Sequence, residues 1–400
     1  MRHATIVPLI GGNSIAGKKI TGVDPEFFLS YKPFAENEKN VKAYFPNVPH
    51  YLLDDPNQGG FDENQHQGMD FVQALCPCAG LSLLSAGSEE QRDGMNSWMI
   101  NSAKFITGKL KPKVFFGENA PALYSNSGAR VRSQFREIAR ENGYSFSIYC
   151  TNTMFHGVPQ SRKRTFYFFW KDSTVPIFNY YKRPRKNLRD YLAEITPGMP
   201  DHSLEDIEKA TRHLQDNPYI QFIQSKYSGN GVQRMRDFMK EKGMHGYTMH
   251  RYFILTGQLV EARDWLAANG FERNAKEATR IIDKLNTSGG FWDGSFPIYD
   301  GEGTFATLIS RTLHAIHPVE DRVLTLRECM HMMALPHDFK LVNGQLNNIC
   351  QNVPVCTAAD MVTEVVGFLN GERTMTNSTY VLQSNLNERI DVQESSLLGY

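Results

Sequence analysis

Residues 69–78 read "MDFVQALCPC" and residues 113–123 read "KVFFGENAPAL". Each is a short apolar run that ends at a proline-bearing loop, which is how a buried strand reads. A candidate reactive group closes each run, Cys78 in the first and Glu118 in the second. Between them "SWMINSAKFITGKL" predicts a helix. After Glu118, "ARVRSQFREIARENGY" places Val131, Phe135, Ile138 and Ala139 at helical spacing, with Gly143 as the stop. Further on, "SFSIYCTNT" and "TFYFFW" read as a strand pair joined by the loop that carries "HGVPQSRKR". Strand and helix alternate through the first 172 residues, which predicts an α/β domain: a mostly parallel sheet with helices on both faces. Reactive groups in such sheets sit just beyond the carboxyl ends of the strands, where Cys78 and Glu118 both fall.

The chain carries 43 basic and 43 acidic residues and is 41% hydrophobic. That balance creates no strong global field, so a nucleic-acid ligand has to be held by a local basic surface. No apolar run reaches the roughly 18 residues of a membrane span, and the N-terminal "MRHATIVPLIGG" is too short in its apolar part for a secretory signal. A cytoplasmic protein without membrane attachment is expected. The cysteines, at 76, 78, 150, 329, 350 and 356, follow neither a disulfide framework nor the paired spacing of a zinc site, so no metal is expected. A lone cysteine is by default a core thiol, and Cys76 is read as one.

After Trp170 the texture changes. "KRPRKN" is a basic, proline-broken link, followed by helices with recognisable starts: Ser203 with Asp206 before "IEKATRHL", and Asn274 with Glu277 before "ATRIIDKL". A second, smaller domain is expected over 173–310. The first domain then resumes over 311–371, where "AADMVTEVVGFL" reads as a helix that packs back on the sheet. The polar tail over 372–400 includes "TYVLQSNLNERIDV", a candidate edge strand.

Taken in order, "PCAGLS" (77–82), "GENAP" (117–121), "GVPQSRKR" (157–164), "EDRVLTLREC" (320–329), "LPHDF" (335–339) and "QNVPV" (351–355) resemble the successive blocks of the DNA cytosine-5 methyltransferases. The resemblance implies a Rossmann-like class I methyltransferase sheet with a smaller target-recognition domain. It also implies an enzyme that moves a methyl group from S-adenosylmethionine to carbon 5 of cytosine in double-stranded DNA. Carbon 5 is a poor nucleophile, so a thiolate must first add to carbon 6, and Cys78 is the implied nucleophile. Glu118 would protonate or hydrogen-bond N3 of the adduct. Arg164 would hold the O2 of the base, with Arg162 supporting the loop or the nearby carboxylate and Gln160 shaping it, while Asn119 belongs to the same substrate-facing block.

A cytosine inside a duplex has to be flipped out before a side chain can reach carbon 6. "GLSLLSAGSEEQRDGMNS" (80–97) would be the lid over it, with Ser82 and Ser85 facing the substrate and Arg92 matching an arginine of that loop in the family. In the variable region, "SKYSGNGVQRMR" and "HGYTMHRYF" offer Arg234, Arg236 and Arg251 for phosphates and base edges. For the donor, the resemblance implies a glycine turn at Gly11 and Gly12. It places Glu36 on the ribose hydroxyls, Asp54 or Asp55 on the adenine amine, and Pro77, Asn352 and Val353 around the pocket. Helix N-terminal charge pairing is the other reading of Glu36.

Some positions depart from the family pattern. "VPLIGG" stands where Phe-x-Gly-x-Gly-Gly is typical, Ala79 where glutamine is common, and Gln351 where glycine is common. Three other readings therefore stay open: transfer of a different group from a modified donor, an RNA cytosine-5 methyltransferase, and a DNA-binding paralogue without catalysis. A monomer of the restriction-modification kind, from a prokaryote or its virus, is expected.

Overall fold

The computed structural model describes residues 1–53, 60–76, 89–287, 295–309, 315–342 and 346–386, with side chains in the third segment from Asn96 onward. Strands β1 (His3–Ile6), β2 (Phe28–Ser30), β3 (His50–Leu52), β4 (Phe71–Ala74), β5 (Val114–Asn119), β6 (Ser145–Asn152), β7 (Lys163–Trp170), β8 (Gly246–Thr248), β9 (Pro297–Tyr299) and β10 (Tyr380–Ser384) fall into two sheets. Helices are α1 (Gly12–Thr21), α2 (Lys39–Tyr44), α3 (Glu89–Phe105), α4 (Ala129–Asn142), α5 (Leu188–Leu192), α6 (Leu204–Gln215), α7 (Pro218–Lys226), α8 (Gly231–Glu241), α9 (Met249–Leu255), α10 (Leu259–Ala268), α11 (Glu272–Thr287), α12 (Leu326–Met332), α13 (Leu346–Gln351) and α14 (Val355–Leu369).

Among the described residues the chain divides into two compact units, one holding Met1–Val158, Arg162–Arg185 and residues 333–386, the other Pro159–Ser161 and Lys186–Met332. These bounds differ from the expected 173 and 310. Residues 173–185 stay with the first unit because Tyr181 donates to the Asp360 backbone O at 3.1 Å and Arg183 is ion-paired to the Asp360 carboxylate. Residues 315–332 belong to the second, where Arg322 and Glu328 form a buried pair, as described below.

The first unit is an α/β fold. Its sheet runs β10-β6-β7-β5-β4-β1-β2-β3, parallel throughout except β7, which is antiparallel to both β5 and β6. The strand order reverses between β1 and β4, so the crevice at the carboxyl ends of β1, β4 and β5 is the natural ligand position. All six residues of β5 are buried, as a strand covered on both faces must be. Phe115 stacks on Phe169 (5.1 Å between centroids) on one face and Phe116 on Phe168 (5.4 Å) on the other. Each such pair adds about 1 kcal/mol beyond its buried area.

α4 buries the four predicted residues and stops at Gly143, whose φ of 70° lets its N–H reach back to the last turn. The strand pair β6–β7 and the edge strand β10 also form as predicted. One stretch among the described residues, Leu346–Leu369, is long and apolar enough for a membrane span, and it is mostly buried within the fold.

The second unit is mainly helical around Phe222, Met235, Phe253, Leu266 and Ile281, with the small β8–β9 pair. Ser203 and Asp206 form the predicted capping box of α6. α11 begins at Glu272, ahead of the predicted start at Asn274. Buried Arg322 donates to both oxygens of Glu328, at 2.8 and 2.7 Å, and to both of Glu320, at 2.9 and 3.0 Å.

Candidate active site

β5 ends at Glu118 and Asn119, and the antiparallel register sets Asn119 opposite Thr165 of β7. Arg164 therefore emerges beside the end of β5. Its Nε lies 2.6 Å from Glu118 Oε1, with both side chains largely buried. Burial raises the proton affinity of Glu118, and the Arg164 and Arg162 guanidiniums oppose that rise. The arrangement is a carboxyl group inclined to hold a proton, oriented by a fixed cation.

Arg162 is buried and reaches the other way, donating from one terminal nitrogen to the Cys350 O (2.7 Å) and the Asn352 O (3.0 Å). Asn352 in turn accepts on Oδ1 from the Gly12 N–H at 2.9 Å. Arg162, two residues before Arg164 and close enough for its charge to act on Glu118, is thus linked through Asn352 to the glycine turn before α1. Gly12 is required by space: a Cβ there would stand 2.3 Å from the Val353 O and 2.5 Å from the Asn352 amide atoms. Gly11 caps α1 with φ 104°, in the left-handed region. Upstream, Val7 (φ 50°) and Leu9 (φ 53°) hold left-handed conformations that side chains disfavour. The turn keeps a glycine-like backbone without glycine at those two positions. Both amide atoms of Asn13 and the Nδ2 of Asn352 are buried without a partner, so this turn carries polar groups suited to a polar ligand.

The sequence pattern of the family described as C-5 cytosine-specific DNA methylase matches residues 30–362. The chain belongs to that family. It is 33% identical over 274 residues to the type II methyltransferase M.DdeI of Desulfomicrobium norvegicum, an alignment covering 66% of this chain and 61% of that protein. It is 20% identical to the type II methylase M.HgiDII of Herpetosiphon aurantiacus, over 78% of this chain and 79% of that one. Against DNA (cytosine-5)-methyltransferase 1A of rice, the match takes in 20% of the relative's length. The chain thus spans less than two thirds of M.DdeI and a fifth of the rice protein. Among solved structures, the fold is similar to a DNA modification methyltransferase encoded within an E. coli prophage (TM-score 0.56, 15% identity, 92% of this chain and 99% of that one). It is also similar to methyltransferase EhMeth of Entamoeba histolytica (TM-score 0.53, 12% identity, 92% and 98%).

Several positions that family membership singles out are placed differently from expectation. Glu36, expected on a donor ribose, has a side chain 75% exposed and pairs with Lys39 at 2.8 Å, which is the charge-pairing alternative. The acid that this segment buries is Glu38, which accepts from Ser30 Oγ at 2.6 Å and faces His50 Nε2 at 2.8 Å. Asn119 turns inward: its Nδ2 donates to Met99 Sδ and its Oδ1 accepts from the Ala120 N–H, so its side chain does not face a substrate. Gln160 is a strut within the second unit, donating to the Met332 O (2.6 Å) and accepting from the Leu308 N–H (3.0 Å).

Among the expected DNA contacts, Arg236 is committed elsewhere, to Asp321 at 2.6 Å and to the His317 and Glu320 carbonyls. Arg234 is exposed and lies over the Tyr227 ring at 3.8 Å, and Arg251 is half-buried in α9. α3 begins at Glu89, so the second half of the expected lid is helix. Cys78, Pro77, Ser82, Ser85, Asp54, Asp55 and the Arg92 side chain lie outside the described residues. Cys76 is a core thiol as expected. It lies 3.2 Å from Ser102 Oγ, and burial pushes it up to about 11. Sequence reasoning missed Asn13, Thr151, His156 and Asp360. His156 and Asp360 meet across 204 residues, which no local spacing signals.

Proposed function

We propose that this chain methylates carbon 5 of cytosine in double-stranded DNA, with S-adenosylmethionine as the donor. The observation that carries the reading is the buried Glu118–Arg164 pair at the carboxyl end of β5, with Arg162 acting on Glu118 by its charge and linked through Asn352 to the glycine turn. In this reading the Cys78 thiolate adds to carbon 6, and Glu118, disposed by burial to carry a proton, donates to N3 as electrons move there. Arg164 holds Glu118 in place and takes the O2 of the base. When bound, S-adenosylmethionine would supply an electrophilic methyl group to carbon 5, its S–CH3 bond breaking to leave S-adenosylhomocysteine as product. A base then removes the carbon 5 proton, the thiolate leaves as the 5,6 double bond re-forms, and N3 returns its proton to Glu118. Gly11, Gly12, Asn13, Asn352 and Val353 would hold the donor, and the unpartnered Asn13 amide and Asn352 Nδ2 fit its polar amino-acid end.

The second unit would read the DNA, with Arg234 and Arg251 as its contacts. A monomeric, cytoplasmic protein belongs to the same reading. The test is the intact mass of a duplex rich in varied cytosine contexts after incubation with S-adenosylmethionine, beside Cys78→Ala and Glu118→Gln. One methyl gained per modified site, lost in Cys78→Ala, supports the reading, whereas an equal gain in Cys78→Ala ends it. A second reading, transfer from a modified donor, is favoured by the left-handed Val7 and Leu9 and by the outward Glu36. It predicts no methyl gain from S-adenosylmethionine.

A further inference from the structure

We propose that His156, held by Asp360, is a positioning residue that sets where Arg164 stands against Glu118. This rests on the reading of Glu118 and Arg164 as residues of the base pocket. The turn over Thr153–His156 leads from β6 toward the two arginines, and its backbone is pinned on both sides. Asn152 Oδ1 accepts from the Met154 and Arg162 N–H groups, both at 3.1 Å, and the Arg183 N–H donates to the Phe155 O at 2.9 Å. Within this turn His156 is buried, with Nδ1 2.8 Å from Asp360 Oδ2 and Nε2 2.7 Å from Thr151 Oγ1. Asp360 is gripped from its other side by Arg183, whose Nε lies 3.1 and 2.9 Å from its two oxygens.

The hydroxyl–imidazole–carboxylate order of Thr151, His156 and Asp360 resembles a hydrolytic triad, but Thr151 is fully buried and no substrate can reach it. Its output is mechanical. Thr151 stands directly opposite Arg164 in the β6–β7 register, so the two side chains leave the same face of the sheet. The imidazole fixes the Thr151 rotamer, and through this cross-strand pairing Thr151 is proposed to limit where the Arg164 side chain stands. The groups around His156 are Asp360 from α14, Thr151 from β6, and Arg183 and Tyr181 from the segment after β7. Those around Glu118 are Arg164 and Arg162, with the buried Tyr167 phenol nearby.

The experiment measures methyl transfer to a mixed-context duplex from S-adenosylmethionine across pH, with thermal melts, for wild type, His156→Gln, Thr151→Val and Glu118→Gln. Both brace variants should lose kcat on the order of tenfold, with KM for the duplex held within about twofold. Their basic pH limb should move upward, because an arginine that opposes protonation of Glu118 has drawn away. Thr151→Val is nearly isosteric and decides the matter if His156→Gln does not fold. A kcat loss that follows the melting temperature with an unmoved pH limb would make the brace merely structural and overturn the proposal, as would wild-type kinetics. The control separates the two ideas: an inactive Glu118→Gln with unmoved brace variants sinks the brace alone, and an active Glu118→Gln sinks the base-pocket reading and the brace with it.

Discussion

Burial raises the proton affinity of Glu118 while two guanidiniums oppose it, and the net direction is upward. The ionised carboxylate is therefore the disfavoured form in the folded chain. Its contribution to stability is fully present below the ordinary glutamate value of about 4.3 and is lost as pH rises through the raised one. Glu118→Gln removes that loss, so its melting temperature relative to wild type should climb as pH rises above about 4.3. A falling difference would refute the assignment of burial as the dominant cause. The same variant should lose roughly 10²- to 10⁴-fold in kcat, as for removal of a general acid. At Gly12 the constraint is steric. A methyl group 2.3 Å from the Val353 O must push the last block away, so Gly12→Ala should cost about 1–3 kcal/mol of stability and weaken donor binding, read by denaturant melts and calorimetry.

At the scale of elements, α6 carries its own start signal. Ser203→Ala removes one half of the capping box and should cost about 1 kcal/mol, measured as a lower denaturation midpoint with an unchanged m-value. The Arg322–Glu328 pair is different in kind, because both charges are buried. Glu328→Gln removes the buried one of the two carboxylates that Arg322 holds and leaves it only the exposed Glu320, which should cost about 3 kcal/mol. Arg322 holds Glu328 below the usual carboxylate range despite burial, so that stabilisation is present above about pH 4.3 and lost as pH falls through the lowered value. Burial lowers His317 in the same network to about 4. A base with a lowered value loses stability as pH falls below its ordinary value, about 6.5, so both groups act in one direction. Far-ultraviolet dichroism should show the second unit losing stability on acidification from about pH 6.5 to about pH 4, and an acid-insensitive second unit would contradict the network.

Across the whole molecule, two neighbouring arginines allow the proposed DNA contact to be tested apart from folding. Arg234 is exposed and stacked on Tyr227, whereas Arg236 is tied to Asp321 and two carbonyls. Arg234→Ala should weaken duplex binding and reduce its salt slope by about 1 with no change in melting temperature. Arg236→Ala should lower the melting temperature first. Much of this was legible in the sequence: the central strands, α4 with its glycine stop, the α6 cap, Glu118 beside an arginine, and Gly12 against the last block. Glu36, Asn119 and Arg236 turn elsewhere than expected for one shared reason, that the block or charge run containing a residue does not say which way its side chain turns.

The sequence by itself determined the central strands, α4 with its glycine stop, the α6 cap and the family, because periodicity, turn residues and block order are local properties of the chain. Only the tertiary structure decided partnership. It turned Glu36 outward and Glu38 inward, joined Gly12 to Asn352, and set His156 against Asp360 across 204 residues. A buried polar group must find a partner to offset its lost hydration, and which partner lies within hydrogen-bond distance is settled by packing, which local spacing does not encode.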